Sequence, residues 1–335
     1  MPNKVVLSVK YPPLITYSRF TNILSILSSQ KNAQTWLLNN HILLWIAKKD
    51  FERSYWADFK YNSGDELCPF VKEEIVERKL ASQDGFSIID FVIDNINNGK
   101  YLFLNINKYY IDEYWPVGIR EHEEHEIFIF GYDRAEASLF VADFFQNKYK
   151  YIQIPFSNFA MAYDNFHLTG VQDYLGGIIL MKFREADNEL DVPRIKNIIQ
   201  DFLASRDTVI QSAWDMFKIE EMSWGMEFFS TLQQYMEYKV NEKTFIDIRP
   251  FHLIYIFSHI MELRIEYLKE LGYIGQHESV YDMFVKIRER LLLMRTMIIK
   301  YNISNNQKIL ERQLRELPLI AESIRSALEY LIELI

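Results

Sequence analysis

The run Glu121-His122-Glu123-Glu124-His125-Glu126, continuing into Ile127-Phe128-Ile129-Phe130-Gly131-Tyr132-Asp133, holds the residue types best suited to chemistry. A second apolar run, Leu139-Phe140-Val141-Ala142, closes on Asp143. The polar Asp133-Arg134-Ala135-Glu136-Ala137-Ser138 between them reads as a turn, so the two runs read as an antiparallel pair. The start of one strand then lies beside the end of the other, which places His125 next to Asp143. A carboxylate at that distance fixes the imidazole tautomer and stabilises the imidazolium, as a general base requires. Each residue also has an ordinary reading, as a surface or core histidine and as a turn-forming aspartate.

His122 and His125 lie among four glutamates, a ligand set that suits zinc or iron. Three residues apart on an extended segment, however, the two imidazoles point to opposite sides. They lack the one-turn helical spacing of a metalloprotease pair. A solvated acidic loop is the reading for His122, and no metal or other bound cofactor is expected.

The elements that must position these residues change character along the chain. In the first half, Val5–Val9 reads as a strand and Ser18–Ser29 as a helix with Phe20, Ile23, Leu24 and Leu27 on one face. His41–Ala47 reads as a strand or a buried helix. Pro69–Leu80 and Phe86–Asn97 read as helices, the second capped near Gly99. Strands are expected at Tyr101–Ile106, Glu126–Tyr132, Leu139–Phe144, Tyr149–Ile154 and Ile178–Phe183, with a short helix opening after Pro155. From Asp191 onward the pattern is helical: Val192–Ser205, Ser223–Val240, Pro250–Leu271, Val280–Tyr301 and Ser304–Ile335, the last with Pro318 as a possible break. The fold class is therefore α+β. An antiparallel-sheet domain over residues 1–184 precedes an all-α region over 185–335.

His-x-x-x-x-x-Gly-Tyr-Asp followed by a strand ending in Asp resembles the histidine and aspartate segments of papain-like peptidases that process bacteriocin leaders. The closer resemblance is to the butirosin biosynthesis protein H N-terminal type. It extends to related amide-forming enzymes of nonribosomal and thioamide antibiotic pathways such as closthioamide assembly, and it covers roughly residues 10 to 165. It implies a papain-like fold, a Cys-His-Asp triad, and transfer of an acyl group from a carrier-protein thioester to an amine. The helical region would act as lid, pocket wall or carrier-docking surface. The implied nucleophile should open the first long helix about a hundred residues before the histidine. Ser18 stands there, 107 residues before His125, with Thr21 and Ile23-Leu24 matching the outline. Serine in place of cysteine fits three cases: an introduced substitution, a serine-using enzyme, or an inactive relative. A helix start favours a thiolate through its dipole and free N–H groups, whereas a hydroxyl needs a stronger base. Serine is also among the best helix caps. Cys68, before Pro69, is the rival nucleophile, although its loop Ser63-Gly64-Asp65-Glu66-Leu67 is acidic and would raise a thiol's pKa. No glutamine precedes Ser18 as an oxyanion donor; Tyr11, Tyr17 and the helix-start N–H groups are the nearby candidates.

The bulk properties bound the rest. The chain has 335 residues, 49% hydrophobic and 15% aromatic, with a net charge of -9. That is ample for a core. An acidic balance disfavours nucleic acid and favours a cationic acceptor such as an amine. One cysteine excludes an internal disulfide and a multi-cysteine zinc site. MPNKVVLSVKYPP lacks a signal peptide's apolar stretch, and no apolar run reaches membrane-spanning length. A cytoplasmic protein with no membrane partner is expected. The expected activity is an amide-bond-forming acyltransferase using Ser18, His125 and Asp143. Its donor rides on the phosphopantetheine arm of an acyl or peptidyl carrier protein, and Lys286, Arg288, Arg290 and Arg295 are the candidate basic docking face. The alternatives are a papain-like hydrolase or peptidase with water as acceptor, and an inactive papain-like interaction protein.

Overall fold

The computed structural model describes residues 2–30, 34–48, 51, 57–59, 68–82, 87–116, 118–186, 189–206 and 221–335. The chain divides into two compact units, residues 1–34 with 66–187 and residues 35–65 with 188–335. The division near 187 falls close to the one expected at 184, but residues 35–65 join the second unit.

The first unit opens with β1 (Lys4–Val6) and α1 (Ser18–Leu27). The next three elements, α2 (Gln34–Asn40), β2 (Leu44–Ala47) and β3 (Ala57–Phe59), belong to the second unit. The first then resumes with β4 (Val71–Val76), α3 (Ile88–Asn97), β5 (Lys100–Asn107), β6 (Glu124–Asp133), β7 (Ser138–Phe145), β8 (Lys148–Pro155), α4 (Phe156–Asp164) and β9 (Ile178–Phe183). The strands form one antiparallel sheet in the order β4-β9-β5-β6-β7-β8. β5 pairs with β6 from Glu124 to Ile129, and β1 pairs with it from Gly131 to Asp133.

Residues 69–80, expected as a helix, form β4 and a 3-10 turn instead. Val71-Lys72-Glu73-Glu74-Ile75-Val76 carries β-branched residues at both ends and lies at the sheet edge, where charged side chains face water. α3 follows the sequence signals closely. Ser87 caps it in a reciprocal capping box with Asp90, and Gly99 follows it at φ +71°.

The sheet's two faces are lined differently. Leu102, Leu104, Ile106, Ile127, Ile129, Leu139 and Val141 pack in one apolar core with Val92 and Ile96 of α3 and with Phe159 of α4. The alternate residues form the other face, which carries α1: Asn22 Oδ1 accepts from Tyr149 at 2.7 Å, and Ser25 bonds Tyr151. Successive side chains of a strand point to opposite faces.

The second unit adds α5 (Val192–Leu203), β10 (Met222–Trp224), α6 (Glu227–Glu242), α7 (Arg249–Glu270), α8 (Val280–Ser304) and α9 (Gln307–Leu334). It is helical, as expected, except for a three-stranded antiparallel sheet, β10-β2-β3. Ser223 and Trp224, which read as the start of a helix, form strand β10 with Met222, and the helix begins at Glu227. Arg264 of α7, fully buried, ties the 35–65 segment into this unit. Its Nε donates to Leu38 O at 2.7 Å and its Nη2 to His41 O at 3.2 Å. In α9, Leu310, Leu317, Ile320, Ile324, Leu328 and Leu331 are buried on one stripe, and the helix runs unbroken through Pro318. Among the described residues no helix is long and apolar enough to cross a membrane.

Candidate active site

β6 enters the sheet at Glu124, so His125 sits at its first turn of pleat, paired across to Ile106 of β5. The β6–β7 ladder runs to Phe128 opposite Ala142, and Asp143 follows directly on β7. The result is the juxtaposition expected from the hairpin. His125 Nε2 lies 3.1 Å from Asp143 Oδ2, with the imidazole 31% exposed and the carboxylate 1% exposed. The same oxygen accepts a short hydrogen bond from the Tyr114 hydroxyl, and the Tyr114 ring stands edge-on to the imidazole at 5.4 Å. Asp143 Oδ1 is buried without a protein partner.

Burial dominates the electrostatics. It pushes the Asp143 carboxyl up to about 6, against the opposing pull of His125 and of the Tyr114 hydrogen bond. Burial, followed by the Asp143 charge, holds the Tyr114 phenol well above its usual range. Tyr114 is therefore a neutral donor, and with His125 it brackets the carboxylate. Because Nε2 faces Asp143, Nδ1 is the imidazole nitrogen left for a substrate.

Ser18 is the first residue of α1 and is 8% exposed. It is not the helix cap, since that position is Tyr17, whose carbonyl accepts from Thr21 N at 2.9 Å. Ser18 Oγ instead donates to Glu126 Oε2 at 2.6 Å. Among the described residues no hydrogen bond joins Ser18 to His125. The structure thus brings His125 and Asp143 together and sets Ser18 against the neighbour of His125 rather than against His125 itself. Burial, then the charge of Glu126, raises the Tyr174 phenol above its usual range, which marks Tyr174 as a further neighbour of that carboxylate.

Two of these residues were not singled out in the sequence. Glu126 had a signal: strand alternation turns it to the face opposite His125, where α1 packs. Tyr114 had none, because it lies in a 3-10 turn, Asp112–Tyr114, within the irregular stretch between β5 and β6.

The rival site dissolves. Cys68 precedes a turn and β4 rather than a helix, is 1% exposed, and burial pushes its thiol up to about 12. Its acidic loop, residues 63–67, lies outside the described residues. His122 stacks on Tyr109 at 4.3 Å, and its Nδ1 is 2.9 Å from Asn107 Nδ2, apart from the His125 pair. Tyr11 packs against Tyr149 and Tyr151, with ring centroids 5.9 and 6.2 Å away.

The Gly-Tyr-Asp part of the motif is architectural. A Cβ on Gly131 would meet Val5 O at 2.7 Å, so glycine lets β1 approach β6. The Tyr132 hydroxyl donates to Asn97 Oδ1 at 2.7 Å, and Asp133 pairs with Lys4 at 3.1 Å while accepting from Ala135 N. In the second unit, Arg288 pairs with Glu262, Arg290 with Glu316, and Arg295 hydrogen-bonds His252. Three of the four candidate docking cations are thus engaged within their own unit.

No protein-family model and no curated protein matches this chain.

Proposed function

We propose that the first unit is a papain-like acyltransferase that passes an acyl group from a carrier-protein thioester to an amine. Ser18 is the acyl-accepting residue and His125–Asp143 the acid–base pair. The observation that carries the reading is the 3.1 Å contact between a partly exposed imidazole and a buried carboxylate. Such a pair orients a base and stabilises its protonated form. The Ser18 hydroxyl opens α1 against Glu126, the sequence neighbour of His125, and the helix-start N–H groups of Ser18 and Arg19 are the proposed oxyanion donors. The resemblance around His125 and Gly131-Tyr132 supplies the reaction class. The chain's net charge of -9 supports a cationic amine acceptor. The bound acyl donor would bring its own phosphopantetheine arm, so the protein itself needs no cofactor for this chemistry.

The test is intact-mass measurement of the wild-type chain and Ser18→Cys after incubation with a short-chain acyl thioester. An adduct on residue 18 that clears when a diamine is added, with amide formed, is the expected result. An adduct that clears equally fast without amine makes the protein a hydrolase. Absence of an adduct from both forms overturns the acyl-enzyme reading and leaves a non-catalytic domain.

A further inference from the structure

β5 has β6 on one side from Leu102 to Asn107, but on the other side its ladder with β9 ends at Phe103 opposite Ile179. Beyond that point the loop leading into β9 takes over. Asp173 Oδ1 accepts from Asn105 Nδ2 at 2.8 Å, and Asp173 Oδ2 lies 3.4 Å from Arg78 Nη1. Asn105 thus commits its amide nitrogen to the loop side. Its other arm, Oδ1, is buried without a protein partner, and the residue directly across on β6 is Glu126. Facing residues of paired strands share one face of the sheet. The Tyr174 hydroxyl hydrogen-bonds Glu126, so that side chain bridges the loop to β6 across the fully buried Asn105. The place is open to solvent on its outer side, since Tyr174 is 40% exposed and Glu126 is half-buried.

The charges here do not balance. Asp173 has Arg78, whose guanidinium also donates to Asn105 O and Tyr163 O and stacks on the Tyr163 ring. Glu126 has two hydroxyl donors, Ser18 Oγ and Tyr174, and among the described residues no lysine or arginine pairs with it. Glu124, on the same face of β6, adds a second negative charge near Tyr174. A carboxylate set against an unpaired amide oxygen is acceptor against acceptor, which only a donor between them relieves. A partly desolvated charge further calls for a cation. We propose that Glu126, Asn105 and Tyr174 form a binding site for a primary ammonium group. Its three N–H donors meet a Glu126 oxygen, Asn105 Oδ1 and the Tyr174 oxygen. Facing residues of an antiparallel pair hold their Cβ atoms about 5 Å apart. One nitrogen about 2.9 Å from each of two oxygens fills a gap of that size. A metal ion fits less well, because among the described residues no three His, Cys, Asp or Glu side chains converge to hold one. The site stands on these contacts alone and does not depend on the acyl-transfer reading.

The experiment is titration calorimetry of the full chain at pH 8 and constant ionic strength, with no thioester present. The probes are butylamine, which is protonated at that pH as a lysine would be, and tetramethylammonium, which has the charge but no N–H. Wild type should bind butylamine saturably and tetramethylammonium not at all. Glu126→Gln should weaken butylamine binding about 10- to 100-fold and Asn105→Leu about 10-fold. Glu121→Gln, which removes an exposed charge nearby, should leave it unchanged. No saturable binding of butylamine by wild type overturns the inference and leaves the buried amide oxygen to water. Equal binding of the two cations, or equal weakening by Glu121→Gln and Glu126→Gln, also overturns it, since a diffuse negative surface would do the same. Undiminished binding by Glu126→Gln or Asn105→Leu does so too. Melting curves confirm that the variants fold, and if either fails to, the wild-type contrast between the two cations still decides.

Discussion

Asp143 meets Tyr114 and His125 on a single oxygen. Its carboxyl, raised to about 6 by burial, must be ionised to orient the imidazole. Activity should therefore fall as the pH drops through about 6. The Tyr114 hydrogen bond favours the ionised form, so its removal raises the Asp143 pKa further. Tyr114→Phe should move the acid limb of amide formation to higher pH and leave the rate at pH 8 little changed. Asp143→Asn should abolish that limb and lower the rate about 10³-fold, since an amide cannot stabilise the imidazolium. A pH–rate profile of the two variants against wild type is the measurement. An acid limb unmoved by Tyr114→Phe would show that another group sets it; for a coupled pair the limb reports the pair as a whole.

At the scale of elements, β6 does three jobs along its length, and only its first residues are chemical. Glu124–Ile129 pair with β5, and the end of the strand, through Gly131, admits β1. Gly131→Ala should force β1 away from β6, because the new methyl would meet the backbone of Val5 and Val6 at 2.7 and 3.0 Å. A loss of about 2 kcal/mol in urea unfolding is expected for overpacking against rigid backbone, with the 3.1 Å Lys4–Asp133 ion pair weakened alongside. A variant as stable as wild type would mean that the β1–β6 pairing contributes little. The same strand shows what the sequence made legible. Two apolar runs joined by a turn-like linker located β6 and β7, and the hairpin rule then placed His125 beside Asp143. Helical periodicity likewise located α1 and α9. What escaped were features set by distant partners. Val71–Val76 becomes a strand because β9 pairs with it, and Met222–Trp224 because β2 does. Ser18 bonds Glu126 through a packing of α1 on the sheet that no local pattern encodes.

Across the whole molecule, two buried titrating groups pull stability in opposite directions. His41, in the second unit, is fully buried between the rings of Trp36 and Phe59, and burial lowers its pKa to about 3. Unfolded, it would titrate at its ordinary 6.5. Below 6.5 the unfolded chain binds a proton that the folded one refuses, so the His41 contribution is present at neutral pH and is lost as the pH falls toward about 3. Asp143, in the first unit, has the reverse sign. Its pKa is about 6 folded against 3.8 unfolded, so between those values the folded chain holds the extra proton and gains stability as the pH falls. In the window from about 6 down to 4.5 the two slopes oppose each other, each approaching about 1.4 kcal/mol per pH unit when fully developed. The wild-type urea midpoint should change little there. His41→Gln removes the first slope and should become more stable as the pH is lowered. Asp143→Asn removes the second and should become less stable. Parallel curves for all three proteins would mean that neither group titrates differently on folding. A wild-type curve that falls steeply while Asp143→Asn matches it would leave the His41 slope standing and show that Asp143 stays ionised through this range.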